Sequence, residues 1–268
     1  MSTELAARPQ LELSGPKLRA AFESLVASSE GEGGVESYVE ALKLKSALFR
    51  ASLETLDLRA FRLMCAHMAT VRRRVGPYAQ AGRFPQVKER IEALLQGRGD
   101  PESVDVRLAA FCAAFPGDRE HRWVRDLGAE LLHFADPERV PLMARWIWDA
   151  GSNTGALREI WHGDDIDGRR LEVPDGCATF LALREELAGY LTQNGVFRDM
   201  PWYADLLAAR VYAEYIGERG GMYLRTDFAT PEDPMLHARR ILGLDGVDDA
   251  GRTRLKAPDG VAERVAER

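Results

Sequence analysis

Residues 35–53 have the sequence VESYVEALKLKSALFRASL, and this stretch indicates the fold class. The apolar residues that recur in it at steps of three and four are Val35, Tyr38, Val39 and Leu42. This spacing collects side chains on one face of an α-helix, whereas a half-buried strand would alternate at every second residue. The stretch therefore predicts an amphipathic helix with one face turned towards a core.

The same periodicity continues on both sides of this helix. Asp57 and Asp118 precede periodic segments as helix-capping residues, and Gly76-Pro77 interrupts the pattern between them. We therefore predict an all-α fold, a single multi-helix globular domain of about 9–11 helices. The residues expected at the inward positions of these helices, in one connected core, are Phe22, Leu42, Phe61, Met68, Ile91, Phe111, Leu127, Leu131, Leu183, Leu187 and Leu206.

One segment departs from the helical pattern. Residues 166–173 lie between turn signals and are followed by Pro174-Asp175-Gly176, which is typical of a short hairpin. We expect one small β-hairpin near residues 164–175. Immediately before it, the pattern predicts a helix through Met143 to Trp148 and another that Asn153 caps.

The chain divides into three parts on these grounds. Residues 1–14 form an N-terminal arm, residues 15–246 the helical domain, and residues 247–268 a polar, Gly-rich tail that we expect to be mobile. Thr230-Pro231-Glu232-Asp233 has a capping-box pattern that predicts the start of the last helix.

Composition excludes several classes of protein. The 268 residues are 46% hydrophobic, enough apolar surface to argue against disorder, and 36 basic against 42 acidic side chains give a net charge of −6. No stretch approaches the roughly 20 apolar residues of a membrane span, and the N-terminus lacks the apolar core of a signal peptide, so we expect a cytoplasmic protein without membrane contact. The three separated cysteines, Cys65, Cys112 and Cys177, are expected to be free thiols.

Two Glu-x-x-His motifs are the sharpest chemical signal. Glu130 and His133 form one, and Glu159 and His162 form the other. This spacing places both side chains along one helix face, as in the carboxylate-bridged di-iron or di-manganese sites of four-helix bundles. The pattern predicts a metal site of Fe or Mn, with His133 and His162 within about 8 Å of each other. Such a site also needs single glutamates, for which the candidates are Glu40, Glu54, Glu185 and Glu214.

The alternative explanation of these motifs is coincidence. The chain is rich in glutamate, and only 29 residues separate the two motifs, an interval that Pro137, Pro141 and Gly151 interrupt. In the bundle architecture, another full helix and two connections separate the paired motifs.

A basic cluster raises the question of nucleic acid. Arg72-Arg73-Arg74, Arg83, Lys88 and Arg90 could bind phosphates. Residues 131–141 also resemble a stretch of the helix-hairpin-helix base-excision glycosylases. The likeness covers about a dozen residues, and neither the Leu-Pro-Gly-type hairpin nor its lysine and aspartate follows, so no catalytic residue is carried over. The net charge of −6 makes nucleic acid an unlikely partner.

The tryptophans indicate a different surface. Trp146 and Trp148 flank Arg145 on a predicted helix, where residues two apart point in directions about 200° apart. A core on both sides of this helix would bury both rings. Otherwise one ring is exposed beside Arg145 or Arg139, in the side-chain combination that anchors protein interfaces. We predict a partner-binding surface formed by Arg139, Arg145, Trp146 and Trp148.

Other catalytic motifs are absent from the sequence. It contains no Gly-x-Ser-x-Gly elbow, no Gly-x-x-x-x-Gly-Lys loop and no Gly-x-Gly-x-x-Gly turn after a strand. The sequence therefore favours a non-catalytic accessory or protein-interaction protein, with homo-oligomerisation left open. The first alternative is a metal-dependent oxidoreductase that uses the paired Glu-x-x-His motifs, and the second is a helical nucleic-acid-binding protein.

Overall fold

The computed structural model describes residues 9–29, 33–97, 100–163, 168–223, 234–247 and 252–255. These residues form ten α-helices and almost no strand, so the all-α prediction is confirmed. The helices are α1 Gly15–Ser29, α2 Val35–Thr55, α3 Leu58–Ala66, α4 Phe84–Leu95, α5 Val104–Ala113, α6 Trp123–Ala135, α7 Ala156–Glu159, α8 Cys177–Gln193, α9 Met200–Tyr223 and α10 Pro234–Ile241. None of the helices in these ranges is long and apolar enough to cross a membrane.

Two helices organise the packing. The helix α9 contacts α1, α2, α7, α8 and α10, while α2 packs against α1, α3, α6 and α9. The apolar residues between them form one connected core, in which ten of the eleven predicted core residues are buried and Phe22 is partly buried. Two of the cysteines, Cys65 and Cys177, are buried free thiols as predicted, and Cys112 is half-buried.

Side-chain caps mark the predicted starts of two helical segments, one of which is correct to the residue. The Asp57 carboxylate accepts the backbone N–H of Ala60 at the start of α3. Asp118 accepts two backbone N–H groups, but these begin a 3₁₀ turn, Arg119–His121, and α6 starts only at Trp123. The capping box at 230–233 lies outside the described residues.

The predicted β-hairpin is not found. Residues 164–167 lie outside the described residues, and residues 168–175 form an irregular segment without strand pairing. Side chains hold this segment in place of a strand ladder. The Trp148 indole donates to the Val173 carbonyl at 3.1 Å, and the Asn153 side-chain oxygen accepts the Leu171 N–H.

The helix predicted through residues 143–148 is also wrong. Residues 141–144 have no regular secondary structure, and residues 145–147 form a turn. The Asp126 carboxylate accepts the backbone N–H of Arg145, and the Trp146 and Ile147 carbonyls accept N–H groups from the start of α7. These outside partners hold the backbone in a turn.

Both ends of the described chain pack on the helices. In the predicted N-terminal arm, Leu13 forms an isolated β-bridge with Trp161. In the predicted tail, Val247 pairs with Thr253, and Leu255 joins the buried core. Residues 248–251 and 256–268 lie outside the described residues, so the mobility of the tail stays a prediction.

The segment after α10 closes over α2 and α3. The buried Lys45 ammonium donates to the Leu242 carbonyl at 2.8 Å, and the Arg72 guanidinium binds both carboxylate oxygens of Asp245. The His67 ring lies 3.2 Å from the Gly243 carbonyl, which can only accept, so Nδ1 carries the proton of this hydrogen bond.

His67 should make stability depend on pH. Burial, with the nearby Lys45 charge, lowers the pKa of His67 from 6.5 to about 4. Between these values the unfolded chain binds a proton that the folded chain does not, so this residue lowers stability as the pH falls. We expect a loss of about 3 kcal/mol from this residue between pH 7 and 4. Urea unfolding of His67→Gln across this range should show a flatter dependence than the unsubstituted protein, and parallel curves would contradict the prediction.

Candidate functional site

Both side chains of the first Glu-x-x-His motif contact other groups of the protein. Glu130 is buried and accepts from the Lys45 ammonium at 2.9 Å. His133 donates from Nδ1 to the Val140 carbonyl at 2.8 Å. Its Nε2 atom lies 3.0 Å from Oδ2 of the buried Asp205, without the alignment of a hydrogen bond. Both residues of the motif therefore hold α6 against its neighbouring helices.

The second motif lies in a different environment. Glu159 is half-buried at the end of the four-residue α7, and His162 is exposed beyond it. Across the described ranges, no three His, Cys, Asp or Glu side chains are grouped in a way that could hold a metal ion. The structure therefore does not bring Glu130, His133, Glu159 and His162 together as the predicted ligand set. The single glutamates do not supply one either: Glu40 pairs with Lys43, and Glu214 with Arg210.

The prediction that Trp146 or Trp148 is exposed is wrong. Trp148 is fully buried and Trp146 is 6% exposed, because the two rings do not lie on one helix. Trp146 packs on Tyr212 of α9, while Arg139 is exposed and pairs with Asp136, three residues before it. The partner-binding role of these residues stays a prediction, without the geometry that suggested it.

The basic cluster is dispersed by the fold. Arg72 is buried against Asp245, and the guanidinium groups of Arg83 and Arg90 lie over the rings of Tyr78 and Phe115. Arg74 instead points towards a group of arginines from other parts of the chain, where it donates weakly to the Glu120 carbonyl at 3.5 Å.

Arg74 and the arginines that it points towards line an open hollow of about 610 Å³. The residues that line it are Thr70, Arg74, Arg119, Glu120, Arg122, Trp123 and Arg145. They come from the turns after α3, the 3₁₀ turn before α6, the first residue of α6 and the turn before α7. We call this feature the arginine hollow.

Two of its arginines are held in place by carboxylates behind them. Arg145 donates from Nε and Nη2 to Asp126, which is fully buried, and Arg122 donates from Nη2 to Asp149 at 2.6 Å. Burial opposes ionisation of Asp149, but hydrogen bonds from Ser152 and the Arg122 charge hold its pKa below the usual value. The two-nitrogen contact fixes the guanidinium plane of Arg145, the single hydrogen bond tethers that of Arg122, and both keep other N–H groups for a ligand.

The remaining groups add to the positive character of the hollow. Within the described residues the Arg119 guanidinium has no hydrogen-bond or ion-pair partner. The N-terminus of α6, at Arg122 and Trp123, also lies here, and a helix of 13 residues carries partial positive charge at that end. The buried Thr70 hydroxyl lines the hollow and has no hydrogen-bond partner among the described residues. The arrangement offers charged donors to an anion.

A smaller cleft of about 300 Å³ adjoins the hollow. Its lining residues are Cys112, Pro116, Gly117, Asp118, His121, Arg122, Val124, Arg125, Arg145, Asp149 and Asp175. Arg122 and Arg145 line both spaces, so they lie between the hollow and the cleft.

One wall of the cleft is fixed by a chain of polar contacts. The Asp118 carboxylate lies 2.7 Å from Nδ1 of His121, and Nε2 of His121 lies 2.9 Å from the Tyr78 hydroxyl. The hydrogen bond from His121 is the largest reason why the pKa of Asp118 lies below its usual value. Both ring nitrogens of His121 are therefore engaged, and the contact ties the turn before α6 to Tyr78.

Sequence reasoning missed this site because its residues are far apart in the chain. The sequence places Arg74 in a basic cluster and Arg145 in the predicted partner-binding surface, and neither pattern indicates that the two line one hollow. The local signal that was available is Asp118-x-x-His121, in which one carboxylate caps a turn and holds a histidine.

Comparison of the chain with protein-family models, curated proteins and solved structures gives no match in any of the three.

Proposed function

We propose that this protein is a non-catalytic binding protein that holds the anionic group of a small molecule, such as a phosphate, in the arginine hollow. The observation that carries the proposal is the pair Arg122 and Arg145, each braced by its own carboxylate and both directed at one hollow. The proposal keeps the non-catalytic role and the cytoplasmic location expected from the sequence.

Charge and size favour a small anion over nucleic acid. Asp149 and Asp126 offset the charges of Arg122 and Arg145, so the excess positive charge comes from Arg74 and Arg119 against Glu120. This excess of one positive charge suits a single phosphate group better than a nucleic-acid backbone. A volume of about 610 Å³ is also within the usual range for small-molecule sites.

The interaction role expected for the tryptophans is not part of this proposal. Both rings are buried, so they could reach a protein partner only if the turn around them opened. The oxidoreductase alternative is not carried forward either, because Glu130 and His133 already bind Lys45 and the Val140 carbonyl.

Arg119→Ala tests the proposal with inorganic pyrophosphate as the probe. The side chain is exposed and contacts no other charged group in the described structure, so its loss should leave folding unchanged. A charge-assisted hydrogen bond contributes about 1.5–3 kcal/mol, and we expect pyrophosphate to bind about 10- to 100-fold more weakly. Isothermal titration calorimetry at low ionic strength measures the change.

Arg139→Ala is the matched control, because Arg139 is also an exposed arginine and lies outside the hollow. It should bind pyrophosphate as the unsubstituted protein does. If the unsubstituted protein produces no heat of binding, or both variants lose affinity equally, the arginine hollow is not an anion site and the proposal fails.

A further inference from the structure

The two braced arginines give a ligand access to two chemically different spaces. An anion bound to Arg122 and Arg145 in the arginine hollow lies at the boundary of the cleft, because both side chains line both spaces. The organic part of such a ligand can therefore extend past these arginines into the cleft.

The cleft differs from the hollow in the polar atoms that it offers. Three carboxylates line it: Asp118, Asp149 and Asp175. Their contacts within the protein leave acceptor capacity, since a carboxylate offers about four lone-pair positions. Asp175, for example, is only 3.5 Å from Arg125 through Oδ2, and its side chain is 37% exposed.

These carboxylates would repel a second anionic group but would accept hydrogen bonds from hydroxyl groups. The lining also includes Pro116 and Val124, which offer apolar contact to C–H groups. Neighbouring hydroxyls on a carbon chain combine both properties.

We propose, on the basis of the anion site above, that the ligand is a phosphoester whose organic part carries neighbouring hydroxyl groups. The phosphate binds in the arginine hollow, and the hydroxyl groups donate to the carboxylates of the cleft, Asp175 among them. This chemistry occurs in sugar phosphates and in the ribose phosphate of nucleotides.

The cleft favours the sugar phosphate. Among its described lining residues, His121 is the only one with an aromatic ring, and that ring packs on Tyr78 and Trp123. Trp123 is 3% exposed and lines the hollow only, and its ring packs on Tyr78 and Phe115. A nucleobase would therefore find no open aromatic face on which to stack.

Asp175→Asn separates the two parts of the site. The substitution keeps the shape of the side chain and removes its charge. Loss of a negative charge cannot weaken binding of an anion, so pyrophosphate should bind equally well or more tightly. Ribose 5-phosphate should bind about tenfold more weakly, because its hydroxyl groups lose a charged acceptor.

The full experiment titrates the intact protein with pyrophosphate, ribose 5-phosphate, pentyl phosphate and a nucleoside 5′-monophosphate. We expect ribose 5-phosphate to bind at least about tenfold more tightly than pentyl phosphate, which has the same carbon number but no hydroxyl groups. A nucleoside monophosphate that binds no more tightly than ribose 5-phosphate identifies a sugar phosphate, whereas tighter binding identifies a nucleotide. Asp136→Asn, outside both spaces, is the control for removal of a carboxylate charge.

The outcomes distinguish this inference from the proposed function. If pyrophosphate binds but ribose 5-phosphate and pentyl phosphate bind equally, the anion site stands and the hydroxyl-binding cleft is overturned. The same holds if Asp175→Asn weakens ribose 5-phosphate no more than Asp136→Asn does. If no phosphate compound binds, both proposals are overturned together.

Discussion

Lys45→Met should lower the free energy of unfolding by about 3–5 kcal/mol. Lys45 is 4% exposed, donates to Glu130 and to the Leu242 carbonyl, and lies 4.1 Å above the centre of the Phe134 ring. Removing it leaves the Glu130 carboxylate buried without its cation. Burial is the largest reason why the pKa of Lys45 lies below, and that of Glu130 above, its usual value, so each depends on the other to remain charged.

Lys43→Met, two residues earlier on α2, is the matched control. Lys43 pairs with Glu40 and Asp199 at the surface, where solvent screens the charges, so its loss should cost much less than the loss of Lys45. The double substitution Lys45→Met with Glu130→Leu should recover most of the loss, because it removes both charges together. Urea unfolding of the four proteins measures these differences. A cost for Lys45→Met no greater than for Lys43→Met would show that this buried pair does not hold α2, α6 and the segment after α10 together.

The Lys45–Glu130 pair also explains why the first Glu-x-x-His motif resembles a metal-binding motif without forming the predicted ligand set. Glu130 and His133 have the spacing of metal ligands, but that spacing specifies only that two side chains share a helix face. What faces them is set by residues far along the chain: Lys45 on α2 and Asp205 on α9. A single sequence contains no signal for such long-range pairs. The motif therefore could not show that Lys45 and Asp205, rather than a metal ion, face Glu130 and His133.

Local signals, by contrast, predicted local structure well. The periodicity of α2 and the cap at Asp57 act within one or two turns of backbone, and the structure contains both. Residues 143–148 have the same apolar periodicity, yet Asp126 and the start of α7 take their hydrogen bonds. Periodicity alone therefore fails where the backbone has outside partners: a peripheral helix would expose one of Trp146 and Trp148, and both are buried because no helix carries them.

The turn that carries Trp146 and Trp148 also places Arg145, so the candidate site depends on how tightly this turn packs. Gly155 precedes α7 with a backbone φ of +133°, a conformation that residues with a Cβ rarely adopt. A Cβ at this position would lie 2.5 Å from the Ile147 carbonyl oxygen and 2.9 Å from the Trp148 nitrogen. Both of these neighbours are backbone atoms, so no side chain can rotate to relieve the contact.

Gly155→Ala should therefore cost at least about 3 kcal/mol of stability, from backbone strain together with displacement of the turn. The matched control is Gly189→Ala, where nothing lies within 4 Å of the added carbon and alanine favours the interior of α8, so stability should rise by up to about 1 kcal/mol. Thermal unfolding of both variants gives the sign and size of each change.

Gly155→Ala should also weaken anion binding in the arginine hollow. Ala156 and Leu157 donate their N–H groups to the Trp146 and Ile147 carbonyls, so displacement of this contact shifts the residues that follow Arg145 directly. In the fraction of Gly155→Ala that remains folded, pyrophosphate should bind more weakly, whereas Gly189→Ala should leave its affinity unchanged. If Gly155→Ala is as stable as the unsubstituted protein and binds pyrophosphate equally well, the turn is not held as described, and the position of Arg145 has another cause.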